Sequence, residues 1–162
     1  MDTQPITIEG RKKLGQELHN LKMIERPQTV IEIDIARDHG DLKENAEYHA
    51  AREKLRFIEA RISELGDLYD SVREVDPSKF AHDKVMFGST VTIENLDTEV
   101  QSTYTIVGTY ESNPDAGLIS SVTPLARHLM GKEEEDEVTV RLPAGEVNYE
   151  IISICYKEIV LS

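Results

Sequence analysis

Apolar positions in the first half of the chain step by threes and fours. One series runs Leu14, Leu18, Leu21, Ile24, Gln28 (a polar gap), Ile31 and Ile35; a second runs Ala51, Leu55, Ile58, Ile62, Leu65, Tyr69 and Val72. Each series draws one stripe down a helix. Two such stripes must bury each other. Paired from the outside in, Leu14 meets Val72 and Ile35 meets Ala51, which puts the fold-back near residue 43. The pattern predicts an antiparallel coiled-coil hairpin. Arms of roughly 30 residues at about 1.5 Å each reach on the order of 45 Å.

Local signals punctuate this frame. Thr7 is placed to cap the first helix, with Ile8 and Glu9 opening it, and Thr3 with Pro5 fits an earlier turn. Pro27 predicts a kink inside the first arm, with the stripe resuming in register at Ile31. Asp38-His39-Gly40 closes that arm, Gly40 supplying the positive φ of a helix end. The second arm runs from about Asn45 to Val75 and stops at Asp76-Pro77-Ser78.

After Phe87 the period changes to two. Ser89–Leu96, Val100–Tyr110, Leu118–Val122, Val138–Leu142 and Val147–Val160 read as strands, and Pro124–Met130 as a short helix. Ile119, Leu125, Leu129 and the alternating Ile and Val positions form the expected core. The fold class is therefore α+β. Residues 1–76 make the hairpin, with its tip at 38–48; 77–86 link it to a second domain, 87–162, built as a small antiparallel sheet with one helix.

Charge changes the picture of what such a chain binds. The formal net charge is −13 over 162 residues. Residues 1–80 hold about 13 basic and about 17 acidic side chains, against about 5 and about 14 in the remainder. Bulk electrostatic attraction to nucleic acid should be weak, since phosphate binding relies on clustered Lys and Arg. Any such role is local or delegated to a partner. Cys155 is the single cysteine, which excludes an internal disulfide and a Cys-based zinc site. With no apolar run of membrane-spanning length and no signal segment, the chain reads as cytoplasmic.

Nothing resembles a nucleophile elbow or a glycine-rich phosphate loop. His39 and His49 flank the tip, a spacing that makes poor evidence for zinc. The one constellation with chemical potential is Asp41 and Glu44, three residues apart on the tip. Two readings compete. Asp41-Leu42-Lys43-Glu44 has the form of a capping box, with Asp41 as N-cap. Alternatively, carboxylates one helical turn apart can jointly ligate a hard cation such as Mg²⁺. Two carboxylates cannot build a tight site alone. A partner would have to supply further ligands and a substrate phosphate, and a metal so held activates water for phosphodiester hydrolysis. On this reading the chain has no autonomous active site, and its tip completes one that belongs to another protein.

The residues that carry a family resemblance run along the whole chain. They are Thr7-x-x-Gly10, Leu21-Lys22 with Arg26-Pro27, Ala36-Arg37, and the block from Gly40 to Tyr48 (GDLKENAEY); then Phe87-Gly88-Ser89-x-Val91, Ile106-Val107-Gly108 and Thr123-Pro124-Leu125-Ala126. With these the sequence resembles the bacterial Gre-type transcript cleavage factors. The resemblance implies a coiled-coil hairpin that enters the secondary channel of RNA polymerase and an FKBP-like C-terminal domain that docks at the channel rim. It implies that Asp41 and Glu44 help hold a catalytic Mg²⁺ of the polymerase. The polymerase then cleaves the 3′ end of backtracked RNA, and arrested elongation complexes are rescued. No cofactor is expected to bind stably to the chain alone, and a monomer without membrane association is expected. The resemblance assigns Arg37, Arg52 and Tyr48 to RNA contact or tip positioning, and Ser121, Thr123 and Pro124 to a polymerase-docking loop. Thr123 stands where many members carry Ser. An interaction-only factor that occupies the channel is the alternative, and intact Asp41 and Glu44 favour cleavage stimulation. Peptidyl-prolyl isomerisation is disfavoured: with no Trp and only three Phe, an apolar proline pocket is hard to assemble.

Overall fold

The computed structural model describes residues 3–41 and 45–161. Two compact units emerge, 12–71 and 1–11 with 72–162. This division differs from the expected boundary at 76 for a physical reason. A short strand β1 (Gln4–Thr7) pairs in parallel with β2 (Val72–Val75), so that Ile6 faces Glu74 and Thr7 faces Val75. Gln4–Thr7 and the end of the expected second arm are thus strands, not turn and helix.

The helical unit is the expected hairpin. Its first arm consists of α1 (Ile8–Asn20), a π-turn at Leu21–Glu25 and α2 (Arg26–Arg37); its second is α3 (Ala46–Ser71). α3 buries Ala51, Ile58 and Leu65, with Leu55, Ile62 and Tyr69 half-buried, which is the stripe the spacing predicts. The first arm departs from it. Pro27 has no N–H to return to residue 23. The chain widens ahead of it, and the Arg26 N–H donates to the Leu21 carbonyl, five residues back.

One extra residue in a turn rotates everything after it by about 100°. The buried face of α2 is accordingly Thr29, Ile33 and Ala36, not Gln28, Ile31 and Ile35. The expectation that the stripe resumes in register at Ile31 is corrected here: Ile31 is 58% exposed and Ile33 only 7%. Thr29 is fully buried and donates its hydroxyl to the Glu25 carbonyl at 2.7 Å. Replacing Ile33 with Ala should cost about 2–4 kcal/mol in urea unfolding, and Ile31→Ala no more than about 0.5 kcal/mol. Equal losses would return the buried face to Ile31.

Nearer the base, Arg61 of α3 grips Glu17 of α1 at 3.0 Å and Glu64 at 3.3 Å. Desolvation disfavours its charge, but hydrogen bonds and attraction from Glu17, then Glu64, hold the guanidinium above its ordinary pKa.

Besides the β1–β2 pair, the sheet unit holds a five-stranded sheet in the order β5-β4-β3-β7-β6: β3 Thr90–Asn95, β4 Gln101–Val107, β5 Leu118–Ser120, β6 Glu137–Leu142 and β7 Gly145–Cys155. All neighbours are antiparallel except β4 and β5, which are parallel. The expected all-antiparallel sheet is corrected at that edge. Two short 3₁₀ turns, Thr109–Glu111 and Pro114–Ala116, lie in the connection that returns the chain to a parallel position. Helix α4 (Pro124–Leu129) sits over a core of Val85, Val91, Ile93, Ile106, Ile119, Ala126, Leu129, Val138, Ile151 and Ile154, with Leu125 packed beside it.

The segment expected as a linker, 77–86, is packed on this sheet unit. Asp76 caps the turn Pro77–Lys79, accepting from the Ser78 N–H at 3.1 Å and the Ser78 hydroxyl at 2.6 Å. These bonds, the hydroxyl's first, hold the Asp76 carboxyl below the ordinary carboxylate range. The cap therefore stabilises fully above the unfolded pKa and is lost as pH falls through the lowered one. His82 bridges Ser89 Oγ and the Pro77 carbonyl at 2.6 Å each, and Val85 is fully buried. Gly88, at φ +86°, lets Pro77 approach, since a Cβ there would lie 2.3 Å from the proline ring.

Candidate functional site at the hairpin tip

α2 ends at Arg37, and the chain turns at once. The Asp38 N–H donates to the Asp34 carbonyl at 3.3 Å, the His39 N–H to the Ala36 carbonyl at 3.1 Å, and Gly40 takes φ +119°. That is the positive φ expected of Gly40, at a position that strains any residue with a Cβ. Asp41 follows, exposed, outside any helix or strand. Glu44 lies outside the described residues, as do Leu42 and Lys43.

Asn45 is the residue that closes the turn. Its Oδ1 accepts from the Tyr48 N–H at 3.1 Å, the geometry of an N-cap for α3. Its Nδ2 donates to the Ala36 carbonyl at 2.5 Å, across the turn on α2. One amide side chain thus starts one helix and holds the end of the other. The capping box expected over Asp41-Leu42-Lys43-Glu44 runs through residues outside the described ones. α3 begins at Ala46, and its cap is Asn45. The signal was present in the sequence, since Asn is a preferred N-cap, but Asp41-x-x-Glu44 offered the more familiar spacing.

The flanking residues divide by burial. Tyr48 is 8% exposed and packs with Ile33, Ala36 and Ala51 beneath Leu55. Arg52, one turn on, donates to the Tyr48 hydroxyl at 3.5 Å, and its guanidinium lies 5.6 Å from the ring centroid, within cation–π range. Arg37 is exposed, 4.0 Å from Asp34. With Arg56 these arginines line one shallow cleft floored by Val30, Ile33 and Leu55. Tyr48 is thus buried against both helices, while Arg37 and Arg52 are exposed.

The loop before α4 is built differently. The Ser121 N–H donates to the Val107 carbonyl at 2.8 Å and pins the loop to β4. Thr123 caps α4, accepting from the Ala126 N–H at 3.3 Å while donating to the Ser120 carbonyl at 2.8 Å. Its hydroxyl is committed inward. The outward groups are Pro124 and Val122, the latter 54% exposed. Val122, expected as the end of a strand, instead lies beyond β5.

Among the described residues no three His, Cys, Asp or Glu side chains come together to hold a metal ion. Asp41 faces solvent as an oxygen ligand of the type Mg²⁺ takes. Among the described residues no helix is long and apolar enough to cross a membrane.

A helical hairpin with an exposed carboxylate at its turn and a small α+β sheet unit define the class. The chain belongs to the GreA/GreB family of transcription elongation factors: residues 4–73 match the family's N-terminal domain and 80–156 its C-terminal domain. It is 58% identical to transcription elongation factor GreA of Helicobacter hepaticus over 99% of this chain and 98% of that protein. It is 56% identical to the GreA of Wolinella succinogenes over 98% of each. Among solved structures, GreA factor homolog 1 of Thermus thermophilus aligns over 94% of this chain and 99% of its own, at 21% identity and a TM-score of 0.44.

Proposed function

We propose that this protein inserts its hairpin into the secondary channel of bacterial RNA polymerase and stimulates the polymerase's own cleavage of backtracked RNA 3′ ends. The observation that supports it is Asp41, an exposed carboxylate at the outer turn of a hairpin whose two helix ends Asn45 clasps together. Asp41 and Glu44 would hold a Mg²⁺ shared with the polymerase active site. When bound there, that ion supplies activated water and stabilises charge developing on the scissile phosphate.

The remaining roles fall to the chain's own side chains. Tyr48 and Asn45 orient the turn. Arg37 and Arg52 offer their guanidinium groups to the RNA backbone, where a bidentate pair on phosphate adds geometric specificity. The loop at Ser121, Thr123 and Pro124 docks at the channel rim, with Thr123 shaping it and Pro124 and Val122 making the contact. The chain brings no complete active site of its own, and it acts in the cytoplasm with the transcription machinery.

A polymerase complex walked to a defined backtracked register, given Mg²⁺, tests this reading. Added protein should shorten the RNA from its 3′ end and restore elongation. Binding without shortening would instead mark a channel-occupying regulator. Replacing Pro124 with Glu should weaken binding to the polymerase by about fivefold or more, on the order of 1 kcal/mol. Unchanged affinity in a direct binding titration would remove that loop from the interface.

A further inference from the structure

Thr7 opens α1, its hydroxyl accepting from the Gly10 N–H at 3.0 Å. In a capping box, the third helical residue is Glu or Gln and reaches back to the N-cap N–H. Here the third residue is Gly10, which has no side chain. The missing acceptor arrives from 104 positions away. Glu111 Oε1 accepts from the Thr7 N–H at 2.9 Å, and Oε2 accepts from the Thr7 hydroxyl. The same Oε1 accepts from the Gly108 N–H at 3.2 Å, at the start of Glu111's own 3₁₀ turn.

Glu111 is 5% exposed. A carboxylate buried so deeply is tolerated only when its oxygens are filled, and here three donors and a helix N-terminus fill them. The space is cut to fit. A Cβ at Gly10 would lie 2.4 Å from Glu111 Cδ, and one at Gly108 would lie 2.6 Å from the Pro5 carbonyl oxygen. Both glycines are therefore part of the arrangement. We propose that Glu111 is a positioning residue for the start of α1: it completes the helix's capping box from the turn after β4, and so ties the chain at residues 7–10 to that turn. The functional half of this inference rests on the proposed role of the hairpin.

Hydrogen exchange of the free protein tests the tie directly. Glu111→Ala should speed exchange at the Thr7 and Gly108 amides by about tenfold or more, while Val91 and Ile106 in the core strands stay as slow as before. Should that variant fail to fold, Glu111→Gln serves, with a smaller acceleration at the same two amides. A double variant, Gly10→Glu with Glu111→Ala, moves the carboxylate into the helix itself. It should restore protection at Thr7 but not at Gly108. In the backtracked-complex assay it should keep the maximum cleavage rate about threefold or more below wild type, with the half-saturating concentration unchanged. Wild-type exchange at Thr7 and Gly108 in the Glu111 variants would overturn the proposal. Full recovery of the maximum rate by the double variant would also overturn it, leaving Glu111 a cap and nothing more. A wild-type protein that stimulates no cleavage would sink the proposed function, while the exchange data would still decide whether Glu111 makes the tie.

Discussion

Asp41→Asn should lower the maximum rate of transcript cleavage by on the order of 100-fold or more, with affinity for RNA polymerase held within about twofold. The amide keeps the size and the polar character of the side chain but loses the negative charge that makes a carboxylate the stronger ligand for a hard cation. A local structural role predicts the opposite result, because Asn is as good an N-cap as Asp. The structure sharpens this contrast. α3 starts at Ala46 under Asn45, so its first turn keeps its cap when Asp41 changes. Titrating the variant into a backtracked complex separates rate from affinity. Cleavage near the wild-type rate would make Asp41 a turn residue. Lost binding with an intact rate per bound complex would make it a docking residue. Either result would end the chemical reading of the tip.

Much of this was legible in the residues, and the parts that were not share a cause. The second arm reads correctly because its face depends only on spacing within one unbroken helix: Ala51, Leu55, Ile58, Ile62 and Leu65 face inward as counted. The fold-back near residue 43 falls between Arg37, where α2 ends, and Ala46, where α3 begins. Counting failed on α2 because a single inserted residue, ahead of Pro27, turns Ile31 and Ile35 outward and Thr29 inward. The proline itself was visible, but its consequence was read as a bend and not as a change of register.

Strands β1 and β2 were missed because four residues carry little periodicity. Each is specified by its partner some 68 positions away, Gln4 by Val72 and Thr7 by Val75. Glu111 is the extreme case. In sequence it reads as one more acidic residue at a strand end, and only the fold brings it to Thr7. At the tip, Asp41 and Glu44 stood out in the sequence as a pair of carboxylates, whereas Asn45, which caps α3 and bonds to the Ala36 carbonyl, did not stand out.

Asn45 carries the second large expectation. Asn45→Asp and Asn45→Ala should both lower the maximum cleavage rate by roughly 10- to 100-fold, since displacing a reacting group by about 1 Å is enough for such a loss. The two variants reach that result by different routes. Alanine removes the cap and the clasp together, at a cost of about 1 kcal/mol for the cap. Aspartate keeps the acceptor for the Tyr48 N–H and adds a charge that favours a helix N-terminus. It also replaces the donor that meets the Ala36 carbonyl at 2.5 Å with a second acceptor. Two acceptors in contact repel, so the clasp opens while the helix start survives. The Tyr48 amide should stay protected from exchange in Asn45→Asp and lose protection in Asn45→Ala. If docking runs through the loop at Ser121–Pro124, as proposed, the half-saturating concentration should move little in either. If Asn45→Asp cleaves like wild type, capping alone explains Asn45, and the position of Asp41 does not depend on joining the two helix ends. If both variants fall together while only one loses the Tyr48 amide, it is the bond to Ala36 that sets the tip.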